Sequence, residues 1–386
     1  MILYVVNYVK GLYIHIPFCK RKCVYCDFYS LGARNAPWQE FVAALLREFA
    51  RRRGEFNGAR EDVFTTIYIG GGTPSLLPPE QWERLMEGLR GMIDFAQVRE
   101  FTVEVNPDDV TGELVARLKR SGVNRVSMGI QSFSDEELRR VGRRHTAAQA
   151  LQAYALLREI GNVSIDLMFG LPGQTQESWR HTLEQALALE PEHISAYTLM
   201  WEEGTALSVM RGQGRVEEMP EEQNVQMYKL LTDSLMRAGY EHYEISNYAR
   251  PGFHSRHNTS YWLGTPYLGL GPGAHSYDGE RTRRANTADL RGYLEHYGGE
   301  GAGEFYQEER LSDEELREEL IMTGLRMAAG IDLEQLRARF GADEERRLLR
   351  RAEKHLRSGQ LRNEAGRLHL TEEGMMLLDP ITVDLL

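Results

Sequence analysis

The sequence predicts an α/β protein, a partial (β/α)6 barrel of the TIM type followed by a small helical, winged-helix-like C-terminal module. Short β-branched or aromatic runs alternate with helical patterns in the first half of the chain, which is typical of a parallel sheet with right-handed crossovers. A complete eight-unit barrel takes about 250 residues, so six units fit the distance from Leu12 to Leu199. A doubly wound open sheet is the alternative.

The predicted elements follow in order along the chain. Their β-branched and aromatic content assigns the strands to Leu12–Ile16, Thr66–Ile69, Phe101–Val105, Arg125–Ile130, Ser164–Met168 and Ile194–Leu199. Apolar periodicity assigns the helices to Trp38–Arg53, Glu80–Ile93, Gly112–Ser121, Asp135–Ile160 and Gln176–Glu190. Gly204–Pro220 is predicted to be a loop, and Pro220–Gly239 a helix. Polar residues or glycines follow the successive strands, at the end where barrel active sites are assembled.

Three regions are predicted. Residues 1–240 form the barrel, residues 241–303 form a bridging segment rich in His, aromatic residues and Gly, and residues 304–386 form the C-terminal module. In the last region, helices precede a hairpin predicted at residues 360–362 and 367–370, which is the arrangement of a winged helix. Because acidic residues outnumber basic ones there, we expect a packing or lid module and not a DNA-reading wing.

Composition and charge limit the function further. The chain has 386 residues and a net charge of −11, which argues against a dedicated nucleic-acid binder. No run approaches the ~18 apolar residues of a membrane span, and the N-terminus lacks the pattern of a secretory signal. We therefore expect a cytoplasmic protein. Residues 1–9 precede the first strand. Two interpretations of them are left open, an extra strand and a misassigned start codon.

The three cysteines of the chain, Cys19, Cys23 and Cys26, lie in one short segment. Their odd number and tight spacing argue against a disulfide framework, and the basic residues between the first two favour the thiolate form. Two metal sites fit the pattern. One is a closed zinc site with His15 as fourth ligand. The other is a [4Fe–4S] cluster, in which the absence of a fourth cysteine leaves one iron open to an external ligand.

Six segments carry motifs that occur together in this chain, namely Tyr13–Cys26, Gly70–Ser75, Glu104–Pro107, Gly129–Phe133, Arg143–His145 and Asp166–Gln174. These motifs resemble those of radical S-adenosylmethionine (SAM) enzymes, in particular the HemN/HemW branch related to oxygen-independent coproporphyrinogen III oxidase. The resemblance covers nearly the whole chain, including the C-terminal module. It implies a [4Fe–4S] cluster on the three cysteines and SAM on the open iron.

The resemblance also implies a set of SAM contacts. Glycine backbone permits close approach of the SAM amine, with which Glu104 is suited to pair, or else Glu104 accepts from a ribose hydroxyl. Arg143 suits the SAM carboxylate, Gln131 and Asp166 suit ribose hydroxyls, and the ring of Tyr25 suits the adenine face. The contacts implied are Tyr13, Tyr25, Gly71, Gly72, Thr73, Glu104, Gln131, Arg143 and Asp166.

Three features favour the HemW group within this branch. HemN-type oxidases carry another cysteine two residues beyond the third, where this chain has Phe28. They also carry a substantial extension before their cysteines, whereas Cys19 stands near the start here. Finally, the segment from His257 to Trp262 matches the HNxxYW motif associated with the HemW heme chaperones.

The HNxxYW motif suits a porphyrin chemically. Tyr261, Trp262 and Tyr267 offer planar apolar surface to a macrocycle, and imidazole is a common axial ligand of heme iron. His257 is the first candidate ligand and His275 the second, and the motif is expected to cover the barrel mouth. The alternative is a hydrogen-bonded structural motif that closes the barrel floor.

The resemblance therefore implies a radical SAM protein with an oxidoreductase-like core that acts as a heme chaperone in porphyrin metabolism. It would bind a [4Fe–4S] cluster, SAM and heme, accept electrons from a flavodoxin or ferredoxin, and deliver heme to an acceptor protein. Nucleic acid is not an expected partner, and a homodimer is left open, as is the cleavage of SAM in function. Two other functions remain, a coproporphyrinogen III oxidase-type decarboxylase and a zinc-stabilised binding module.

Overall fold

The computed structural model describes residues 10–55, 63–299, 301 and 303–386, so the predictions for residues 1–9 lie outside the described part of the chain. Its strands are β1 Gly11–Ile16, β2 Phe18–Cys19, β3 Leu31–Gly32, β4 Thr66–Gly71, β5 Glu100–Val105, β6 Arg125–Gln131, β7 Val163–Phe169, β8 His193–Thr198, β9 Glu241–Glu244, β10 Asn247–Ala249, β11 Tyr267–Leu270, β12 His275–Tyr277, β13 Thr282–Asn286, β14 Tyr306–Arg310, β15 Ile331–Asp332, β16 Leu361–Glu364 and β17 Arg367–Leu370.

Helices connect and cover these strands. They are α1 Trp38–Arg52, α2 Pro79–Arg90, α3 Gly112–Ser121, α4 Asp135–Arg140, α5 Ala147–Leu157, α6 Gln176–Ala188, α7 Ala206–Gly212, α8 Glu221–Arg237, α9 Arg256–Trp262, α10 Leu290–Gly298, α11 Asp313–Arg326, α12 Leu333–Phe340, α13 Ala342–Arg357, α14 Glu372–Met375 and α15 Leu378–Leu385. Among the helices of the described residues, none combines the length and the apolar character that a membrane span needs.

One sheet of 12 strands forms the centre of the molecule. Its middle has the order β1-β4-β5-β6-β7-β8, all parallel, which confirms the six predicted strands. A doubly wound sheet would reverse its strand order at a switch point, and this order does not reverse, so the barrel-type arrangement is the correct one. Beyond β1 the sheet continues through β11, which is parallel to it, into the antiparallel strands β12, β13 and β14.

Strand β1 shows how the residue alternation orients the site. Leu12, Ile14 and Ile16 are fully buried and belong to the main hydrophobic core. Successive side chains of a strand point to opposite faces, so Tyr13 and His15 lie on the other, inward face. The main core extends from β1 to α10, and residues 321–385 form a second apolar cluster of their own. The division into three regions stays a prediction.

Two predicted elements differ in the structure. The helix expected over Asp135–Ile160 is broken into α4 and α5, because Gly142 has a φ of 77° and Thr146 begins α5 with a capping box. The loop expected over Gly204–Pro220 contains α7, which is capped by the Thr205 hydroxyl. The predicted C-terminal hairpin is confirmed as β16 and β17.

Candidate functional site

A cavity of about 560 Å³ opens at the carboxyl ends of the parallel strands; we call it the first cavity. The three cysteines line it. So do eight of the nine predicted SAM contacts, which come from seven separate elements and loops. The carboxyl ends of parallel strands meet at one edge of the sheet, which explains why residues so distant in sequence converge here. The eight are Tyr25, Gly71, Gly72, Thr73, Glu104, Gln131, Arg143 and Asp166.

The cysteine segment contacts the SAM-site residues directly. The Thr73 hydroxyl donates to Cys19 Sγ at 3.6 Å, and Arg143 Nη1 donates to Cys23 Sγ at 3.6 Å. All three thiols are half-buried. Burial raises the pKa of Cys19, and it raises the pKa of Cys26 to about 11. Thiols with raised pKa values become thiolate ligands when a metal centre replaces their protons.

The geometry of the donor set fits a cluster better than a zinc ion. Within the described ranges, no three His, Cys, Asp or Glu side chains stand close enough to share one metal ion. Zinc requires four ligands that converge on one ion at about 2.0–2.3 Å, whereas each cysteine of a [4Fe–4S] cluster binds a different iron. His15 is also engaged elsewhere, since Nδ1 meets the Tyr13 hydroxyl at 3.0 Å and Nε2 meets Tyr29 O at 2.9 Å. These hydrogen bonds of His15 argue against the zinc alternative and favour the cluster.

Glu104 occupies the wall of the first cavity beside the glycine turn. The Tyr68 hydroxyl donates to its Oε1 at 2.8 Å, and the backbone N–H of Gly71 donates to Oε2 at 3.0 Å. Burial raises the pKa of Glu104 to about 7. Gly71 has a φ of 108°, and a Cβ there would lie 2.5 Å from the His15 ring, so only glycine fits. The Glu104 carboxylate and the backbone of the glycine turn therefore lie side by side in the first cavity.

Arg143 stands on the turn that breaks the predicted fourth helix. Its Nη2 donates to Asn106 Oδ1 at 2.6 Å and to the carbonyl of Gly129. Its Nε is buried and has no hydrogen-bond partner in the part of the chain that the structure describes. A buried donor without a protein partner is suited to bind an anionic group, and the SAM carboxylate is such an anion.

Asp166 and Gln131 also line the first cavity. The Ser127 hydroxyl donates to Asp166 Oδ1 at 3.1 Å, and burial raises the pKa of this carboxyl. Gln131 has a φ of 71° at a register irregularity between β6 and β7. Irregularities of this kind re-aim a side chain next to active sites. Both residues are thereby held toward the first cavity.

Sequence reasoning did not single out Asn106 as a site residue. Its amide donates to Thr73 Oγ1 at 3.0 Å, and its carbonyl oxygen accepts from Arg143. It therefore joins two predicted SAM contacts as a positioning residue. The available signal was its place directly after the third strand, within the Asn-Pro pair.

Tyr13 does not line the first cavity. It lines a second cavity of about 660 Å³, which lies between the strands at the β1–β13 side of the sheet and the C-terminal module. Phe28, which follows the cysteine segment, lines both cavities. The second cavity is walled by aromatic rings, among them those of Tyr261, Trp262 and Tyr267.

His257 faces neither cavity and is fully buried. Nδ1 meets the Thr66 hydroxyl at 2.8 Å and Nε2 meets the Tyr261 hydroxyl at 2.8 Å, and burial lowers the pKa of the imidazole to about 3. Thr66 pairs with Gly11 at the amino ends of β4 and β1, so His257 lies at the barrel floor, whereas Tyr261 and Trp262 of the same motif line the second cavity. This position differs from the expectation that the motif covers the barrel mouth. Both ring nitrogens of His257, the first candidate heme ligand, are hydrogen-bonded, which argues against an axial bond from this residue.

His275 has the opposite environment. It begins β12, is exposed, and lines the second cavity. Among the described residues its imidazole has no hydrogen-bond partner. Desolvation by the surrounding cavity wall and the charge of Arg283 lower the pKa of His275, which favours the neutral imidazole. A neutral imidazole with a free nitrogen is suited to bind a metal.

Comparison with known proteins gives two family matches. The radical SAM superfamily model matches residues 13–186, and the HemN C-terminal domain model matches residues 311–377. The chain is 35% identical to the heme chaperone HemW of Bacillus subtilis (strain 168) over 372 residues, which are 96% of this chain and 97% of that protein. It is 38% identical to the heme chaperone HemW of Escherichia coli (strain K12) over 297 residues, covering 74% of this chain and 75% of that protein.

Among solved structures, the chain is similar to coproporphyrinogen III oxidase (HemN) from Escherichia coli, described as a radical SAM enzyme. The TM-score is 0.83 and the identity is 23%, and the match covers 98% of this chain and 90% of that chain. At this identity the similarity establishes a common fold.

Proposed function

Because the chain belongs to the HemW heme chaperone family within the radical SAM superfamily, we propose that it binds heme and delivers it to an acceptor protein. Membership of the radical SAM superfamily implies a [4Fe–4S] cluster and SAM. The observation that carries the proposal is the presence of two adjacent cavities with different chemistry. One is lined by the three cysteines and by the charged side chains of Glu104, Arg143 and Asp166, and the other has an aromatic wall and the imidazole of His275.

In the first cavity, Cys19, Cys23 and Cys26 would hold three irons of the cluster, and the fourth iron would take SAM. When bound, the reduced cluster supplies an electron for the sulfonium of SAM, and that chemistry belongs to the cofactor. Arg143 would bind the SAM carboxylate through its unpaired Nε, and Glu104 would accept from the amine. The electrons would come from a flavodoxin or ferredoxin.

Further residues would orient SAM without touching iron. Asp166 and Gln131 would accept or donate hydrogen bonds at the ribose hydroxyls, the ring of Tyr25 would cover the adenine, and the backbone of Gly72 and Thr73 would meet the amine. Tyr13 is left out of this set, because its hydroxyl meets His15 in the second cavity.

Heme would lie in the second cavity. Tyr261 and Trp262 would contact its apolar ring, and His275 would ligate its iron. His257 would not contact heme itself. It would orient the Tyr261 ring, because its Nε2 forms a hydrogen bond with the Tyr261 hydroxyl. The HNxxYW motif is therefore a positioning motif in this proposal, and the axial ligand comes from β12.

Turnover of coproporphyrinogen III tests the proposal against the oxidase alternative. Anaerobically reconstituted protein with SAM and a one-electron reductant is expected to leave coproporphyrinogen III unchanged, while it binds added heme saturably. Phe28 stands where HemN-type oxidases carry their additional cysteine, which is the sequence reason for this expectation. Consumption of coproporphyrinogen with release of carbon dioxide, together with the absence of saturable heme binding, would establish the oxidase instead.

A further inference from the structure

The floor of the second cavity is formed by the sheet, and one position of this floor is a glycine, Gly269 on β11. Tyr13 pairs with Gly269 across β1 and β11, and a Cβ at Gly269 would lie 2.0 Å from the carbonyl oxygen of His275. Gly269 therefore places no side chain on the sheet between Tyr13 of β1 and His275 of β12. Next to this gap, Tyr267 pairs with Tyr277 across β11 and β12, and both rings line the cavity. The floor thus presents the aromatic rings of Tyr13, Tyr267 and Tyr277 around the position of Gly269.

The opposite wall belongs to the C-terminal module. Helices α11 and α12 and strands β15 and β17 all contribute residues to the cavity. Among these, Leu316 and Leu320 add apolar surface, and Glu319, Asp332, Arg339 and Arg367 add charge. A flat ligand in this cavity would therefore contact the barrel strands on one side and the C-terminal module on the other.

Arginines outnumber carboxylates around the second cavity, although the chain as a whole has a net charge of −11. Arg283 pairs with Glu319 at 2.7 Å, and Arg367 pairs with Asp332 at 3.0 Å. Two of the three arginines are thus held in place by the two carboxylates that line the cavity. The remaining positive charge is that of Arg339.

Arg339 has no carboxylate partner within 4.0 Å in the described ranges of the chain. Its Nη2 donates to the carbonyl oxygen of Glu280 at 3.0 Å, which anchors α12 to the turn after β12. The guanidinium also stands by the Tyr277 hydroxyl, whose pKa it lowers in opposition to burial. A fixed guanidinium with free donors is the group that binds carboxylates in bidentate fashion.

We propose that Arg339 of the C-terminal module, supported by Arg283 and Arg367, binds the propionate carboxylates of a tetrapyrrole in the second cavity. This inference rests on the proposed binding of heme and deepens it. The aromatic floor would contact the macrocycle, and the arginines would neutralise the carboxylates at its edge. The C-terminal module would then be part of the ligand site and would distinguish tetrapyrrole acids from neutral macrocycles.

Two ligands that differ only at their propionate groups test the proposal, namely ferric heme and its dimethyl ester, titrated in the same detergent solution. The wild-type chain is expected to bind heme roughly tenfold more tightly than the ester, because the ester offers no charge to a guanidinium. Arg339→Gln is expected to lose most of this preference while the affinity for the ester stays unchanged. Arg291→Gln is the matched control, because Arg291 is exposed on α10 and pairs with Glu295 away from both cavities.

The outcomes distinguish failure of the proposed arginine contacts from failure of heme binding itself. Equal affinity of the wild type for heme and for the ester would overturn the role of the arginines while leaving heme binding in place. A preference for heme that survives in Arg339→Gln and also in Arg367→Gln would overturn it as well. Failure of the wild type to bind either ligand would contradict the proposed function itself. A melting temperature close to that of the wild type shows that each variant is folded.

Discussion

Replacing Cys23 with alanine is expected to abolish cluster assembly, from about four irons in the reconstituted wild type to fewer than about one. The chain has three cysteines, all of which line the first cavity, so no other thiol is available to replace the lost ligand. Iron and sulfide are quantified after anaerobic reconstitution, and the brown absorbance is recorded. Addition of SAM is expected to perturb the EPR spectrum of the reduced wild type and to have no effect on the variant.

Arg21→Gln is the matched control for this experiment. Arg21 is exposed within the same segment and does not carry a ligand atom, so this variant is expected to retain its iron. A colourless wild-type protein with one tightly bound zinc ion would contradict the cluster, and so would full iron content in Cys23→Ala.

Replacing Arg143 with alanine is expected to weaken SAM binding roughly tenfold to a hundredfold and to spare the cluster. The buried guanidinium has an unpaired Nε beside the first cavity, and the loss of a charge-assisted hydrogen bond costs about 1.5–3 kcal/mol. SAM affinity is measured by calorimetry on reconstituted protein, and the iron content is measured in parallel.

Arg139→Ala serves as the control for Arg143, because Arg139 is exposed on α4 and donates to the carbonyl of Asp135. Glu104→Ala tests the other charged contact and is expected to weaken SAM binding to a similar extent. If both Arg143→Ala and Glu104→Ala bind SAM like the wild type, these residues do not belong to its site.

The parts of the fold and site that were predictable are those with a local signal. Three cysteines in one segment identify a metal centre without knowledge of the fold. Residues such as Glu104 and Asp166 belong to strands of strong β character, and the carboxyl ends of parallel strands necessarily meet. The identity of the first cavity therefore followed from the order of strands and from what stands at their ends.

His257 shows why the rest was not predictable. Its partner Tyr261 lies four residues further along the same helix, which a sequence can suggest. Its other side-chain partner, Thr66, is 191 residues away. The backbone N–H of His257 donates to the carboxylate of Glu100, which is also distant in sequence. These distant contacts place the imidazole at the barrel floor. No pattern within the HNxxYW motif reveals that both ring nitrogens are already engaged.

The second cavity likewise depends on tertiary structure. Strands β12 and β13 are short and join the main sheet by antiparallel pairing, and the opposite wall comes from helices of the C-terminal module. Sequence separation between these parts conceals that His275 and Arg339 border the same space. The sequence indicates His275 as the second candidate ligand only through its residue type. The structure shows that its imidazole lines the second cavity.

The central claim is that this chain binds heme in the second cavity, and a spectroscopic heme titration tests it most directly. Wild-type protein is expected to bind about one heme per chain, with a Soret band typical of a histidine ligand. His275→Ala is expected to shift the Soret band and weaken binding, whereas His257→Gln, if its melting curve shows it folded, is expected to keep the ligand spectrum. Loss of the histidine spectrum in folded His257→Gln, with an unaltered spectrum in His275→Ala, would contradict the account.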